Sequence, residues 1–364
     1  MRFADRVKNI EISGIRKLFE AAGPDSINLG LGQPDFDTPL HIREAAIKAI
    51  HEGKTGYTPN LGIPELREAL SAKFKRENGL TYQPGEMIVT AGASEALHIA
   101  MQACINPKDK VIFSDPGFVS YGALAEFAGG IPVQVPLDRD LRMDPDKTIP
   151  LLDDATMIVL NSPANPTGVV EREETIRGIV EYADDKGVLV ISDEVYEHFI
   201  YDATHKSAAL YGDNVLTVNA TSKTYAMTGW RIGVLAAGQE IIEECVKVHQ
   251  YSLACATSIS QYAAYAAYTG DQGVVTAMRD EYRARRDLLA AGLHNLGFEF
   301  ALPEGAFYLF VPMTTDQIEA IIRSGVIIVP GTAFGSRGEG YARISYAASQ
   351  NTLQEALNRI ENVV

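Results

Sequence analysis

The chain has few cysteines, no long apolar run and no excess of basic residues. Its three cysteines, Cys104, Cys245 and Cys255, lack the spacing of a metal site, so we expect reduced thiols and no metal ion. No stretch approaches the roughly 18 apolar residues of a membrane-spanning helix, and the N-terminal region has no apolar core typical of a signal peptide. The formal charge of −15 argues against a nucleic-acid partner, which requires a basic face. These absences predict a soluble, cytoplasmic protein.

The composition that is present is that of an ordinary globular protein. Hydrophobic residues make up 46% of the chain and charged residues 22%. A length of 364 residues is sufficient for one large and one small domain around a substantial core.

Short apolar runs alternate with amphipathic helical stretches, such as 94–105 and 172–187, through the middle of the chain. This rhythm predicts an α/β fold with a mainly parallel sheet. Only ten residues, 221–230, separate the last two runs. That is too few for a helical crossover, so we expect this pair of strands to be antiparallel. The predicted strands are 86–92, 110–115, 131–137, 156–162, 187–195, 215–220 and 231–238.

The C-terminal part of the chain has a different pattern. From about residue 240 it is helical through 279–297, and short predicted strands follow at 306–311, 326–330 and 341–347. We interpret this part as a second, smaller α+β domain. The predicted division is an N-terminal segment, 1–40, that packs with the small domain, a large domain, 41–265, and the small domain, 266–364.

The stretches that follow the predicted parallel strands are polar or rich in Gly and Pro. They are "AGASEA", "DPGF", "SPANPTG", "DEVY" and "TSKTY". Ligands of open α/β sheets bind beyond the carboxyl ends of the strands, so we expect these stretches to share one edge and to form the site.

Lys223 follows a buried-type strand, with Ser222 beside it and Arg231 eight residues further on. Most lysines are solvated, and this one could be as well. A lysine that is desolvated near an arginine, however, has a lowered pKa, and its neutral amine can form a Schiff base with a carbonyl. Arg231 and Ser222 are suited to binding a phosphate.

Three further residues each have a structural and a functional interpretation. Ser94 either caps a helix or contributes to an anion site at the helix start. Asn165 lies in a Pro-rich stretch that is either a rigid turn or a support for a ligand-binding amide. Asp193, at the end of a hydrophobic strand, either has a structural role, as a helix cap or in an ion pair, or holds a proton on a heterocyclic nitrogen.

Seven motifs occur in order between residues 28 and 347. They are "NLGLGQPDFDTP", "GYTPNLGIPELREAL", "TAGASEAL", "SPANPTG", "SDEVY", "SKTYAMTGWRIG" and "YARISYA". Together they resemble the motif series of the class I/II aminotransferases, which are pyridoxal 5′-phosphate enzymes of the aspartate aminotransferase fold.

The resemblance implies a role for each matching residue. Lys223 would bond covalently to the cofactor aldehyde, Asp193 would pair with the pyridine nitrogen, and Tyr196 with Asn165 would bind the ring hydroxyl. The phosphate would be bound by Ala93, Ser94, Ser222 and Arg231, and Phe118 would stack on the ring.

The resemblance also implies how the substrate and a second subunit are bound. Arg343, assisted by Asn165 and Gly32, would bind the substrate α-carboxylate. Tyr57 would contact the phosphate of the neighbouring subunit in a homodimer.

The implied reaction is a ping-pong transfer of an amino group from an L-amino acid to a 2-oxo acid, with Lys223 moving the proton. Aspartate with 2-oxoglutarate is the first choice of substrates, followed by aromatic amino acids and alanine. A β-C–S lyase that uses the same cofactor is an alternative. A ligand-sensing module without catalysis is disfavoured, because the chain is acidic and every catalytic position is filled.

The N-terminal segment supplies the candidates for selection of the substrate side chain. Ile12, Gly14 and Ile15 are candidates for the pocket wall. Arg16 and Lys17 either bind a distal carboxylate or form a solvated face, and we favour the solvated face.

Overall fold

The computed structural model of the chain describes residues 3–8, 10, 23 and 25–364. The strands are β1 Ile27–Asn28, β2 Met87–Thr90, β3 Lys110–Asp115, β4 Ile131–Pro136, β5 Met157–Asn161, β6 Leu189–Asp193, β7 Val215–Ala220, β8 Gly233–Ala236, β9 Tyr308–Pro312, β10 Val326–Ile327, β11 Val329–Pro330 and β12 Tyr341–Ser345. The α-helices are α1 Asp5–Lys8, α2 Leu40–His51, α3 Pro64–Lys73, α4 Ala93–Cys104, α5 Ser120–Phe127, α6 Pro145–Leu152, α7 Glu173–Lys186, α8 Thr221–Thr224, α9 Gln239–Ser252, α10 Ser258–Thr269, α11 Gly273–Asn295, α12 Thr315–Arg323 and α13 Gln350–Glu361.

The large domain is built on a mixed sheet. Within the described residues this sheet has seven strands in the order β2-β8-β7-β6-β5-β3-β4, and β8 alone runs antiparallel to its neighbours. The predicted α/β class is therefore confirmed, as is the antiparallel pairing of β7 with β8. The short helix α8 and a 3₁₀ turn at Thr228–Trp230 fill the connection between these two strands.

The central strands are buried on both faces, which explains their nearly continuous apolar sequences. Side chains alternate between the two faces, so Val111 and Val159 pack on one side while Ile112 and Ile158 pack on the other. Helices α4 and α9 cover the first face, and α6 and α7 cover the second. Because both faces carry helices, only the strand ends remain open to form a site.

The small domain contains an antiparallel sheet in the order β11-β12-β9, packed with α11, α12 and α13. The predicted strand 326–330 is divided into β10 and β11, and only β11 joins this sheet. β10 pairs in parallel with β1, and the Ser345 N–H donates to the Leu29 carbonyl. Residues 27–29 thus pair with strands of the small domain. The predicted domain bounds stay a prediction.

The longest described helix, α11, carries charged residues along its length. In the parts of the chain that the structure describes, none of the helices has both the length and the apolar character needed to cross a membrane.

Candidate active site

A cavity of about 330 Å³ lies at the carboxyl edge of the large sheet, where the small domain closes it. The ends of β5, β6 and β7 and the start of α4 form its wall, so the polar stretches after these strands share one edge. The predicted site residues on the wall are Gly32, Ala93, Ser94, Phe118, Asn165, Asp193, Tyr196, Ser222, Lys223, Arg231 and Arg343.

Lys223 lies on α8, which begins directly after β7 and turns the side chain into the cavity. Its Nζ donates to the Gly32 carbonyl at 2.6 Å. Burial, together with the nearby cations Arg343 and Arg231, lowers the pKa of Lys223 to about 8. The site thus contains an amine that loses its proton far more readily than a solvated lysine.

Asp193 is the last residue of β6 and is buried. The Tyr121 hydroxyl donates to its Oδ2 at 2.8 Å, and the Val195 N–H donates to Oδ1 at 3.4 Å. Among the described residues, no basic group lies within 4.0 Å of this carboxylate. Burial raises the pKa of Asp193 to about 6. The carboxylate therefore faces the cavity without a paired cation.

The other end of the cavity can bind an anion. Helix α4 begins at Ala93 after Gly92, whose φ is 80°, and a Cβ at Gly92 would overlap the Arg231 guanidinium. The first N–H groups of a helix have no acceptor within the helix, so they can bind a phosphate together with Arg231. Ser94 lies in the first turn rather than at the cap position, which Gly92 occupies, so the capping interpretation of Ser94 is wrong.

Arg343 is a buried cation on β12. Its guanidinium donates to Asn165 Oδ1 at 2.7 Å and to the Gly30 carbonyl at 2.6 Å, while its Nε has no acceptor in the part of the chain that the structure describes. No carboxylate of the described residues lies within 4.0 Å of it. Burial lowers the pKa of Arg343. Arg343, like Asp193, is thus a buried charge that forms no ion pair within 4.0 Å in the described part of the chain.

The two remaining polar groups are fixed by neighbours on adjacent strands. The Asn165 N–H donates to Asn161 Oδ1 at 2.8 Å, and Asn161 Nδ2 donates to the Asp193 carbonyl at 2.9 Å. The Tyr196 and Tyr308 hydroxyls are 2.7 Å apart. The loop after β5 is therefore anchored at the ends of β5 and β6, and Tyr196 contacts the small domain.

The sequence prediction missed Asn161, Tyr121 and Tyr308, which line the same cavity. Tyr121 is three residues after Phe118, and their rings meet edge to face at 5.5 Å. A spacing of three could have placed Tyr121 beside Phe118 at the site. No such signal exists for Tyr308, because an aromatic residue in an apolar strand is typical of a core.

Tyr57 is the predicted site residue that does not line the cavity. It is 92% exposed in the single chain. The candidates for substrate selection, Ile12, Gly14, Ile15, Arg16 and Lys17, lie outside the described residues. The roles of all the site residues stay predictions.

Comparisons with known proteins agree on one family. The profile of the family "Aminotransferase class I and II" matches residues 24–360. A probable aspartate aminotransferase of Methanocaldococcus jannaschii is 45% identical over 99% of each chain. Aromatic-amino-acid aminotransferase 2 of Thermococcus litoralis is 38% identical, over 100% of this chain and 98% of the relative. The structure of Thermus thermophilus aspartate aminotransferase with maleate superimposes with a TM-score of 0.95 at 38% identity, over 100% of each chain. Both the sequence and the fold therefore show that this chain belongs to the class I and II aminotransferases.

Proposed function

We propose that the chain is a pyridoxal 5′-phosphate-dependent aminotransferase that acts on aspartate and 2-oxoglutarate as a cytoplasmic homodimer. One observation carries the proposal. A buried carboxylate, Asp193, and a buried cation, Arg343, face the same cavity as Lys223, and neither forms an ion pair within 4.0 Å among the described residues. Buried charges of this kind are costly unless a ligand compensates them.

The residues present fit the cofactor. Asp193, which forms no ion pair within 4.0 Å among the described residues, would pair with a protonated ring nitrogen, and the start of α4 with Arg231 would hold a phosphate. Tyr196 and Asn165 would donate to the ring hydroxyl oxygen, and Phe118 would cover the ring. When bound, pyridoxal phosphate supplies an aldehyde that accepts the amino group and a ring that withdraws electrons from the substrate α-carbon.

Lys223 would act as the general base and acid. Its amine, with a pKa of about 8, is deprotonated often enough near neutral pH to remove the proton from the substrate α-carbon. The same nitrogen would then donate the proton to the aldehyde carbon of the cofactor. Arg343 would hold the α-carboxylate in a two-point contact, with Asn165 and Gly32 assisting, so that the α-carbon stays within reach of Lys223.

The names of the relatives support aspartate as the amino donor. The Methanocaldococcus relative is named a probable aspartate aminotransferase, and the Thermus enzyme was solved with maleate, a dicarboxylate. The Thermococcus relative, named for aromatic amino acids, supports the second choice.

A panel of single half-reactions tests the substrate. Each L-amino acid is mixed with the cofactor-loaded protein, and the loss of the visible absorption and the released 2-oxo acid are measured. We expect aspartate to give the highest kcat/KM. A higher value with tyrosine or phenylalanine would assign the chain to aromatic substrates. Release of pyruvate and a thiol from cystathionine, without amino transfer, would indicate a lyase.

The variant Arg343→Lys tests how the substrate is bound. Lysine keeps the charge but cannot form the two-point contact, so we expect KM for the amino acid to rise roughly 10- to 100-fold. Cofactor affinity should stay unchanged, because Arg343 does not lie at the phosphate end. Arg323→Lys, at an exposed ion pair with Glu319, is the control. A KM for Arg343→Lys equal to that of the control would contradict the proposed role.

We also propose that Tyr57 reaches the phosphate bound in the neighbouring subunit. Tyr57 precedes α3 in an exposed loop, and in its own chain it does not line the cavity. An exposed tyrosine that belongs to a family motif is consistent with a contact that only a second copy completes.

Mixing an inactive subunit with one that is impaired only at Tyr57 tests this contact. One subunit carries Lys223→Ala and the other Tyr57→Phe. If sites are shared, one site of the mixed dimer has both lesions, and the other has native Lys223 and native Tyr57. Activity should then exceed that of both parents and approach half of the native value. An absence of recovery after confirmed subunit exchange, or a fully active monomer, would contradict a shared site.

A further inference from the structure

Tyr308 occupies a position that joins the two halves of the site. It begins β9 of the small domain, it is buried, and its side chain reaches the cavity wall. Its hydroxyl is 2.7 Å from the Tyr196 hydroxyl, and its ring lies 4.4 Å from the Arg343 guanidinium. A Cβ at Gly32 would overlap the Tyr308 hydroxyl, so glycine is required where this phenol passes.

We propose that Tyr308 is a positioning residue with two separable functions, an inference that rests on the proposed function. Its hydroxyl donates to the Tyr196 oxygen and thereby directs the Tyr196 proton into the cavity. Its ring fixes the plane of the Arg343 guanidinium in the orientation that binds a substrate carboxylate.

The direction of the hydrogen bond follows from the number of protons. Each phenol has a single proton to donate, and the two hydroxyl oxygens are 2.7 Å apart. In the proposed site the Tyr196 proton goes to the ring hydroxyl oxygen of the cofactor. The Tyr196 oxygen can then only accept, so the proton between the two phenols comes from Tyr308. A phenol that accepts one hydrogen bond donates a stronger second one.

The ring function follows from the packing around Arg343. Tyr308 covers one side of the guanidinium, and Phe334 lies 4.6 Å from it. Two aromatic contacts fix the plane of the group, while Asn165 and Gly30 accept from its ends. A planar group that is already oriented loses less entropy when it binds a carboxylate.

Two variants separate the functions. Tyr308→Phe removes only the hydroxyl, and Tyr308→Leu removes the ring as well. The control is Tyr346→Phe, because this buried phenol donates to the Ala306 carbonyl and does not line the cavity. Each variant is loaded with cofactor, its visible absorption is titrated against pH, and KM for the amino acid is measured.

Tyr308→Phe should move the titration midpoint upward by roughly 0.5 to 1 pH unit, the scale of one hydrogen bond. Without the Tyr308 hydroxyl, Tyr196 donates a weaker hydrogen bond to the ring hydroxyl oxygen of the cofactor. This oxygen is then more basic. The proton that it shares with the Lys223 nitrogen is therefore retained to a higher pH. KM should change less than about twofold. Tyr308→Leu should show the same midpoint shift and a KM raised roughly tenfold, because the cation–π contact is lost.

A midpoint for Tyr308→Phe equal to that of Tyr346→Phe, while Tyr196→Phe shifts it, would overturn the hydroxyl function and leave the proposed function intact. Equal KM values for the Phe and Leu variants would overturn the ring function. A native protein without visible absorption after cofactor addition would instead overturn the proposed function, and this inference with it.

Discussion

Replacing Lys223 with alanine should abolish amino transfer while the protein still binds the cofactor. General acid–base catalysis alone accounts for roughly 10² to 10⁴-fold in rate, and loss of the covalent bond to the cofactor adds to this effect. The phosphate-binding groups at the start of α4 are untouched, so affinity for the cofactor should remain. The measurement is a single-turnover half-reaction with aspartate, with Lys247→Ala, an exposed lysine, as the control.

Borohydride reduction gives an independent readout of the same residue. Reduction of the native holoenzyme followed by peptide mapping should find the pyridoxyl group on Lys223. A label on another lysine, or an active Lys223→Ala variant, would refute the mechanism.

Although removal of the Lys223 amine abolishes activity, it should raise the stability of the cofactor-free protein. Burial depresses the pKa of Lys223 from 10.5 to about 8, so between these values the unfolded chain binds more protons than the native protein. Native stability therefore rises with pH across this window. Lys223→Met removes the dependence and should stabilise the protein at pH 7 by roughly 2 kcal/mol, a figure below the full shift because the side chain is partly exposed to the cavity. Urea unfolding at pH 7 and 9.5 measures both effects, and an unchanged pH slope would contradict this account.

The sequence predicted the fold well because its signals are local. Each central strand is buried on both faces and is therefore a short apolar run, and the ten-residue connection 221–230 excludes a helical crossover between β7 and β8. The edge that gathers Asp193 and Lys223 follows from the parallel arrangement of the strands.

What the sequence did not predict depends on contacts between distant segments. The run 326–330 gives no indication that Val326 and Ile327 pair with β1 while Val329 joins β12. Tyr308 was missed for the same reason. Its proposed function depends on Tyr196, which is 112 residues earlier in the chain, and on Arg343, which lies on the neighbouring strand β12. The pattern of a buried strand shows that a side chain is inside the protein, but not which site it touches.

Asp193→Asn is the second change that should nearly eliminate turnover. Asparagine has the shape of aspartate and can still accept from the Tyr121 hydroxyl, but it cannot compensate a positive charge on the ring nitrogen. Loss of one partner from a buried charge pair amounts to about 3–5 kcal/mol, which corresponds to a rate lowered by roughly 200- to 5,000-fold. Lys223 should still bond to the cofactor. Half-reaction rates and borohydride mapping measure the two outcomes, with the exposed Asp185→Asn as the control.

The same substitution should stabilise the cofactor-free protein. Burial raises the pKa of Asp193 from 3.8 to about 6, so the native protein binds more protons than the unfolded chain between these values. Native stability therefore falls as pH rises through this window, and the loss is complete above it. Asparagine avoids the buried charge, so Asp193→Asn should be more stable than the native protein at pH 7 by roughly 2 kcal/mol. A carboxylate that served the fold alone would give the opposite result, because its removal would lower stability and leave turnover unchanged. Full activity in Asp193→Asn would show that the carboxylate is structural, and that the cavity binds its ligand without it.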